Sequence, residues 1–140
     1  MGYNTIFKGE LKFTNELSAS SLAVIKSILG EDRREHPEWN APEDFYYFDL
    51  IFLDDFSGLR WNDDTEKTYG MVEMLNWLIV FMKDNFPEFG LSGKFNCQGE
   101  DIDDRYDIVI ENGIAGKVDI PILGQRITCP HCEEDFYLDV

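Results

Sequence analysis

The sequence predicts an α+β fold, a two-layer sandwich in which a mainly antiparallel sheet carries two helices on one face. Three observations lead there. Short stretches alternate between apolar and polar residues, as half-buried strands do. Two other stretches repeat apolar residues at helical spacing, around Leu22–Leu29 and Met71–Met82. Strand-like stretches outnumber these two helices, and 140 residues with 44% hydrophobic content suit one domain that buries about two-thirds of its unfolded surface.

In chain order, residues 3–14 alternate, with Ile6, Lys8, Glu10 and Lys12 on one parity and Phe7, Gly9, Leu11 and Phe13 on the other. Asn15 or Ser18 suits an N-cap, and Leu22, Ile25 and Leu29 form an apolar stripe. Gly30 supplies a stop, so a first helix of about three turns is expected. Residues 30–44 are polar, hold two prolines and read as a long loop. Phe45 to Leu53 is a run broken only by Asp49, the pattern of a central strand covered on both faces. Asp54–Gly58 is a turn and Leu59–Trp61 a short strand. Asn62–Thr65 offers N-caps, with acids where a helix dipole favours them. From Glu66 to about Phe86, Met71, Met74, Leu75, Leu78, Ile79 and Met82 recur at helical spacing, and Pro87 ends the helix. Leu91–Gln98, Arg105–Glu111, Lys117–Ile122 and Arg126–Thr128 read as strands. The order β-α-β-(β)-α-β-β-β implies a split βαβ arrangement of ferredoxin-like type over the first ~98 residues. Residues 1–124 form the expected domain, and residues 125–140 a short knuckle-like appendage to it.

Charge narrows the function. Twelve Lys and Arg face 28 Asp and Glu, a net charge of -16. A disordered acidic tail would lack this apolar and aromatic content. Direct binding to nucleic acid or to an anionic membrane is opposed by like-charge repulsion over about 8 Å. The acidity is uneven, because residues 98–140 hold 11 acids against three bases. The N-terminus has neither the basic start nor the apolar stretch of a secretory signal. The longest apolar run, Trp77 to Met82, is six residues, against about 20 for a membrane span. A cytoplasmic location is expected, and the odd number of cysteines, three, fits a reducing compartment.

Two of those cysteines stand in Cys129-Pro130-His131-Cys132. A tight turn of this spacing brings two thiolates onto one tetrahedral metal at about 2.3 Å each. The turn resembles a single zinc-ribbon knuckle, but a structural site needs four ligands and no second Cys-x-x-Cys exists. Three outcomes stand open. Cys97 with His36 or a carboxylate completes a site in one chain; two chains share a four-thiolate site as a homodimer; or no cofactor binds. CPHC also resembles the active site of thiol–disulfide oxidoreductases, yet only eight residues follow Cys132, too few for the helix that site needs.

Acidic clusters are the other candidates. Glu100, Asp101, Asp103, Asp104 and Asp107 surround Arg105 and Tyr106. Read as a calcium loop, Arg105, Tyr106 and Asn112 fall where an EF-hand needs a ligand, a glycine and a bidentate Glu. Asp54 and Asp55 with Asp63, Asp64 and Glu66 could hold Mg²⁺ or form a glycosidase pair, although the capping role already accounts for two of them. Glu10-Leu11-Lys12 matches half of a nuclease motif but has no acid upstream. With two histidines and no Gly-rich phosphate loop or G-x-S-x-G, the chain is not expected to be an enzyme. Of the tryptophans, Trp77 belongs to a helical apolar run. Trp39 lies in a polar loop, as an exposed contact residue or as a pin for its own loop.

The segments GYNTIFKGELKFT, LRWNDDTEKTYGMVE and ITCPHCEEDFYL are together similar to small acidic proteins encoded by phages and prophages. The resemblance brings no catalytic residue. It implies binding to a host protein, and some such proteins inhibit defence systems by presenting carboxylates where DNA presents phosphates. Carboxylates two residues apart on a strand are ~6.7 Å apart on one face. The expected partner is therefore a basic host protein, met through Glu100 to Asp107 with Trp39 as a secondary contact. The alternative is an assembly module clipped by zinc at its C-terminal turn.

Overall fold

The computed structural model describes residues 4–65, 68–101 and 104–119. The predicted strand 126–128, the appendage 125–140, Cys129, Cys132, Asp103 and Glu66 lie outside the described residues. The elements are β1 (Ile6–Lys8), β2 (Leu11–Phe13), α1 (Ala19–Ile28), β3 (Leu50–Phe52), β4 (Gly58–Trp61), α2 (Met71–Asn85), β5 (Leu91–Gln98), β6 (Arg105–Glu111) and β7 (Ile114–Asp119). All strand pairs are antiparallel, in the order β3-β4-β2-β5-β6-β7, with β1 also on β5. The α+β class and the antiparallel sheet are as expected. Among the described residues the sheet has seven strands, and β6 and β7 carry it beyond the two-helix ferredoxin-like layout.

The N-terminal strand is one strand in two pieces. Phe7 faces Cys97 and Leu11 faces Gly93, a continuous register along β5. It is interrupted because two glycines with positive φ, Gly9 and Gly93, bring the backbones together there. A Cβ on either would stand 2.6–2.7 Å from a carbonyl oxygen of the facing strand.

Alternation along the strands sorts the side chains cleanly. Phe7, Leu11, Leu59, Phe95, Ile108 and Ile110 are buried on one face, together with Ile25 and Ile28 of α1 and Met74, Leu75, Leu78 and Met82 of α2, in a single core. No described helix covers the other face. Asn76 of α2 holds β7, its amide donating to the Ala115 carbonyl at 3.0 Å and its oxygen accepting from the Ala115 amide at 2.8 Å.

Three expectations need correction. The run Phe45–Leu53 is a strand only over Leu50–Phe52, and that strand lies at the sheet edge. Its first half folds back on the end of α1, with Gly30 N–H donating to Phe48 O and Phe48 N–H to Glu31 O. Phe45 and Phe48 are thus buried beneath a loop, which produces the same continuous apolar run. The second helix starts at Met71, after Gly70 in the left-handed conformation. Asn62–Thr65 closes its own turn, with Thr65 N–H donating to Asn62 O, so no helix grows from those caps. The last described strand starts at Ile114 and not Lys117, because Asn112-Gly113, both at positive φ, makes a two-residue hairpin. Ser18 caps α1 as expected, its hydroxyl accepting from Ser21 N–H at 3.1 Å.

Candidate functional site

The acidic candidates fall on the β5–β6 connection. Gln98 builds it, its side-chain amide donating to the carbonyls of Gly99 and Asp101 at 3.1 and 2.9 Å. Asp104 N–H donates to Asp101 O at 2.9 Å and Gly99 N–H to Asp104 O at 2.8 Å. Glu100 and Asp101 are exposed at the tip, and Glu100 accepts from the Asn4 amide at 2.7 Å. Asp104 is half-buried. Asp107 is withdrawn onto β6, where one oxygen is 3.8 Å from Lys94 Nζ. The turn thus presents Glu100 and Asp101 and keeps Asp107 apart from them.

The other candidates are not gathered. Asp54 and Asp55 precede β4, with Asp55 bonded to Ser57, while Asp63 and Asp64 follow it at the far end. Among the described residues no three His, Cys, Asp or Glu side chains form a group that could hold a metal. Cys97 is buried on the core face of β5. Burial, then the nearby Asp107 carboxylate, pushes its thiol up to about 12. A thiol so placed is a poor ligand and a poor nucleophile. Trp39 is half-buried, stacked on His36 with centroids 4.2 Å apart and 5.1 Å from the Trp77 ring. Trp77 Nε1–H donates to its carbonyl at 3.1 Å, so Trp39 pins its loop to α2. His36 is itself held protonated more readily than usual by its hydrogen bonds to Glu31 and then Glu38.

A site not expected from the sequence lies between the folded-back loop and the end of β4. Tyr46, Tyr47, Tyr69, Asp49, Asn62 and Thr65 line a pocket of about 460 Å³. Asp49 sits at its wall, 9% exposed. Trp61 Nε1–H donates to Thr68 Oγ1 at 2.9 Å, and that hydroxyl donates to Asp49 Oδ2 at 2.9 Å. Burial pushes the Asp49 carboxyl above the ordinary carboxylate range, and the Thr68 bond opposes that only in part. Arg34 Nη2 pairs with Asp32 at 2.7 Å, and its guanidinium lies 4.6 Å from the Tyr46 ring centroid and 5.7 Å from that of Tyr47. The sequence signal was the single acid in an aromatic run, which a strand reading treats as an interruption.

No family model, curated protein or solved structure matches the chain.

The open sheet face differs in charge from the rest. Lys8, Lys12, Arg60, Lys94 and Arg105 stand on it, five of the ten Lys and Arg among the described residues. Only Glu10, Asp107 and Glu111 of the 22 described acids share it. A depression of about 480 Å³ on this face is lined by Ile6, Lys8, Asn96, Gln98 and Arg105, with no acid in its wall.

Proposed function

We propose that this chain is a non-enzymatic accessory protein, of phage or prophage type and acting in the cytoplasm, that binds a basic host protein and blocks it through an acidic surface. The expected partner is a defence or nucleic-acid-handling protein. One observation carries the reading: four of the five residues Glu100–Asp104 are acids in the sequence, and both Glu100 and Asp101 are exposed at a hairpin tip tied down by Gln98. Preorganised carboxylates of this kind steer a basic surface at long range and lose their pull with salt. The cation-rich sheet face restricts the approach, so contact falls on the loop rim. No aromatic side chain stands on the described part of that face for a base to stack upon, which fits a protein partner better than a nucleic acid. We read the strand order β3-β4-β2-β5 as that of a ferredoxin-like core, with β2 and β4 antiparallel where a split βαβ unit has them parallel, to which the β6–β7 pair has been added.

The test is affinity capture from host lysate, repeated with an Asp101→Lys/Asp104→Lys variant whose fold is checked by circular dichroism. A basic protein should be retained at low salt, released as salt rises to about 0.5 M, and lost with the charge reversals. Capture that survives both reversals would overturn the reading.

A further inference from the structure

The tyrosine-lined pocket joins three features that point to one ligand chemistry. First, Asp49 is a carboxylate removed from water with one hydrogen bond, from Thr68 to Oδ2, and no Lys, Arg or His within ion-pair distance among the described residues. A buried carboxylate is costly unless a positive group meets it. Second, the two guanidiniums beside these tyrosines are already engaged: Arg33 Nε donates to the Phe45 carbonyl, and Arg34 makes a two-pronged pair with Asp32 through Nε and Nη2 at 2.9 and 2.7 Å. Third, the Arg34 guanidinium lies over Tyr46 and Tyr47, so these rings already serve as cation platforms. Tyr69 completes the aromatic lining, and the volume of about 460 Å³ is that of a small-ligand site.

We propose that this pocket binds an alkyl cation, a primary ammonium or guanidinium on a short aliphatic stem, with its charge on Asp49 and its stem among Tyr46, Tyr47 and Tyr69. Asn62 and Thr65 give its remaining N–H groups oxygen acceptors at the pocket wall. The chemistry has two sources, a free amine and the Lys or Arg side chain of a protein. The inference does not rest on the acidic hairpin, which is a different part of the surface. Asp101→Lys/Asp104→Lys tests the hairpin and leaves this pocket intact, and Asp49→Asn does the reverse.

The experiment is a titration of the ¹⁵N-labelled full chain with n-butylammonium, n-butylguanidinium and neutral 1-butanol, followed by amide shifts of Tyr46, Asp49, Asn62 and Tyr69. A blocked Gly-Lys-Gly peptide is titrated in parallel. Saturating shifts confined to this region with a cation, and at least about tenfold weaker binding of the alcohol, are expected. Asp49→Asn should weaken the cation by a similar factor, and Tyr47→Ala, at a half-exposed ring, should weaken it without threatening the fold. Tighter binding of the peptide than of butylammonium assigns the site to a partner's side chain, and the reverse assigns it to a free amine. No saturable shift with any cation, equal binding of the alcohol, or indifference to both variants would overturn the proposal.

Discussion

Asp49 shows what one residue can change. In the sequence it is a polar break in an apolar run, and in the structure it is the most buried acid among the described residues. Its folded pKa is raised above the ordinary 3.8, so the folded chain holds this proton more tightly than the unfolded chain does. Stability then falls as pH rises from 3.8 through the folded pKa, because folding must bury a charge that the unfolded chain hydrates. Asp49→Asn keeps an acceptor for Thr68 and removes that charge. The variant should melt higher than the parent at pH 7, with the difference closing below pH 3.8, as thermal melts across pH would show. A residue retained at a cost in stability fits a binding role. Cys97 is the opposite case, where burial on the core face of β5 holds the thiol in its neutral form.

At the level of elements, β5 and β6 match the sequence reading at both ends, and α2 matches its apolar stripe. These long, strongly periodic stretches bury one face each, and that burial sets both period and register. The misread elements share a different cause. Thr68 could have begun a helix, but its hydroxyl is committed to Trp61 and Asp49, and α2 waits for Gly70. Asn112-Gly113 was legible as a hairpin turn and moves β7 forward by three residues. The interrupted β1–β2 strand depends on glycine, since Gly93 has φ +126 and its missing Cβ leaves room for Glu10 O. Gly93→Ala should cost about 1–3 kcal/mol in a urea melt, with an unchanged m-value. Gly30→Ala meets no atom within 4 Å and serves as its control, carrying only the strain of its own positive φ.

For the whole molecule, charge is the dominant property. A chain at -16 repels itself, and added salt screens that repulsion over a Debye length of about 8 Å at 0.15 M. The melting temperature should therefore rise between low salt and about 0.3 M NaCl, over the same range in which partner capture weakens. A fall in melting temperature would mean that ion pairs outweigh repulsion. Such pairs are few, six among the described residues, and mostly exposed. The charge is also divided in space, with five of the ten described cations on the sheet face away from the helices and all but three of the described carboxylates elsewhere.

The sequence by itself determined the fold class, the two helical stripes, the strands β5 and β6 and the acidic character, because each follows from local periodicity or from a count. It pointed to Glu100 to Asp107 as an acidic cluster for the same reason, and the structure put Glu100 and Asp101 at an exposed tip. Tertiary structure decided the rest. It placed Phe45 and Phe48 under a loop, turned Trp39 inward onto Trp77, drew Asp107 away from its neighbours to Lys94, and brought Asp49 to Thr68 and three tyrosines. Each of these depends on which distant segment a side chain meets, and periodicity along a chain carries no record of partners across it.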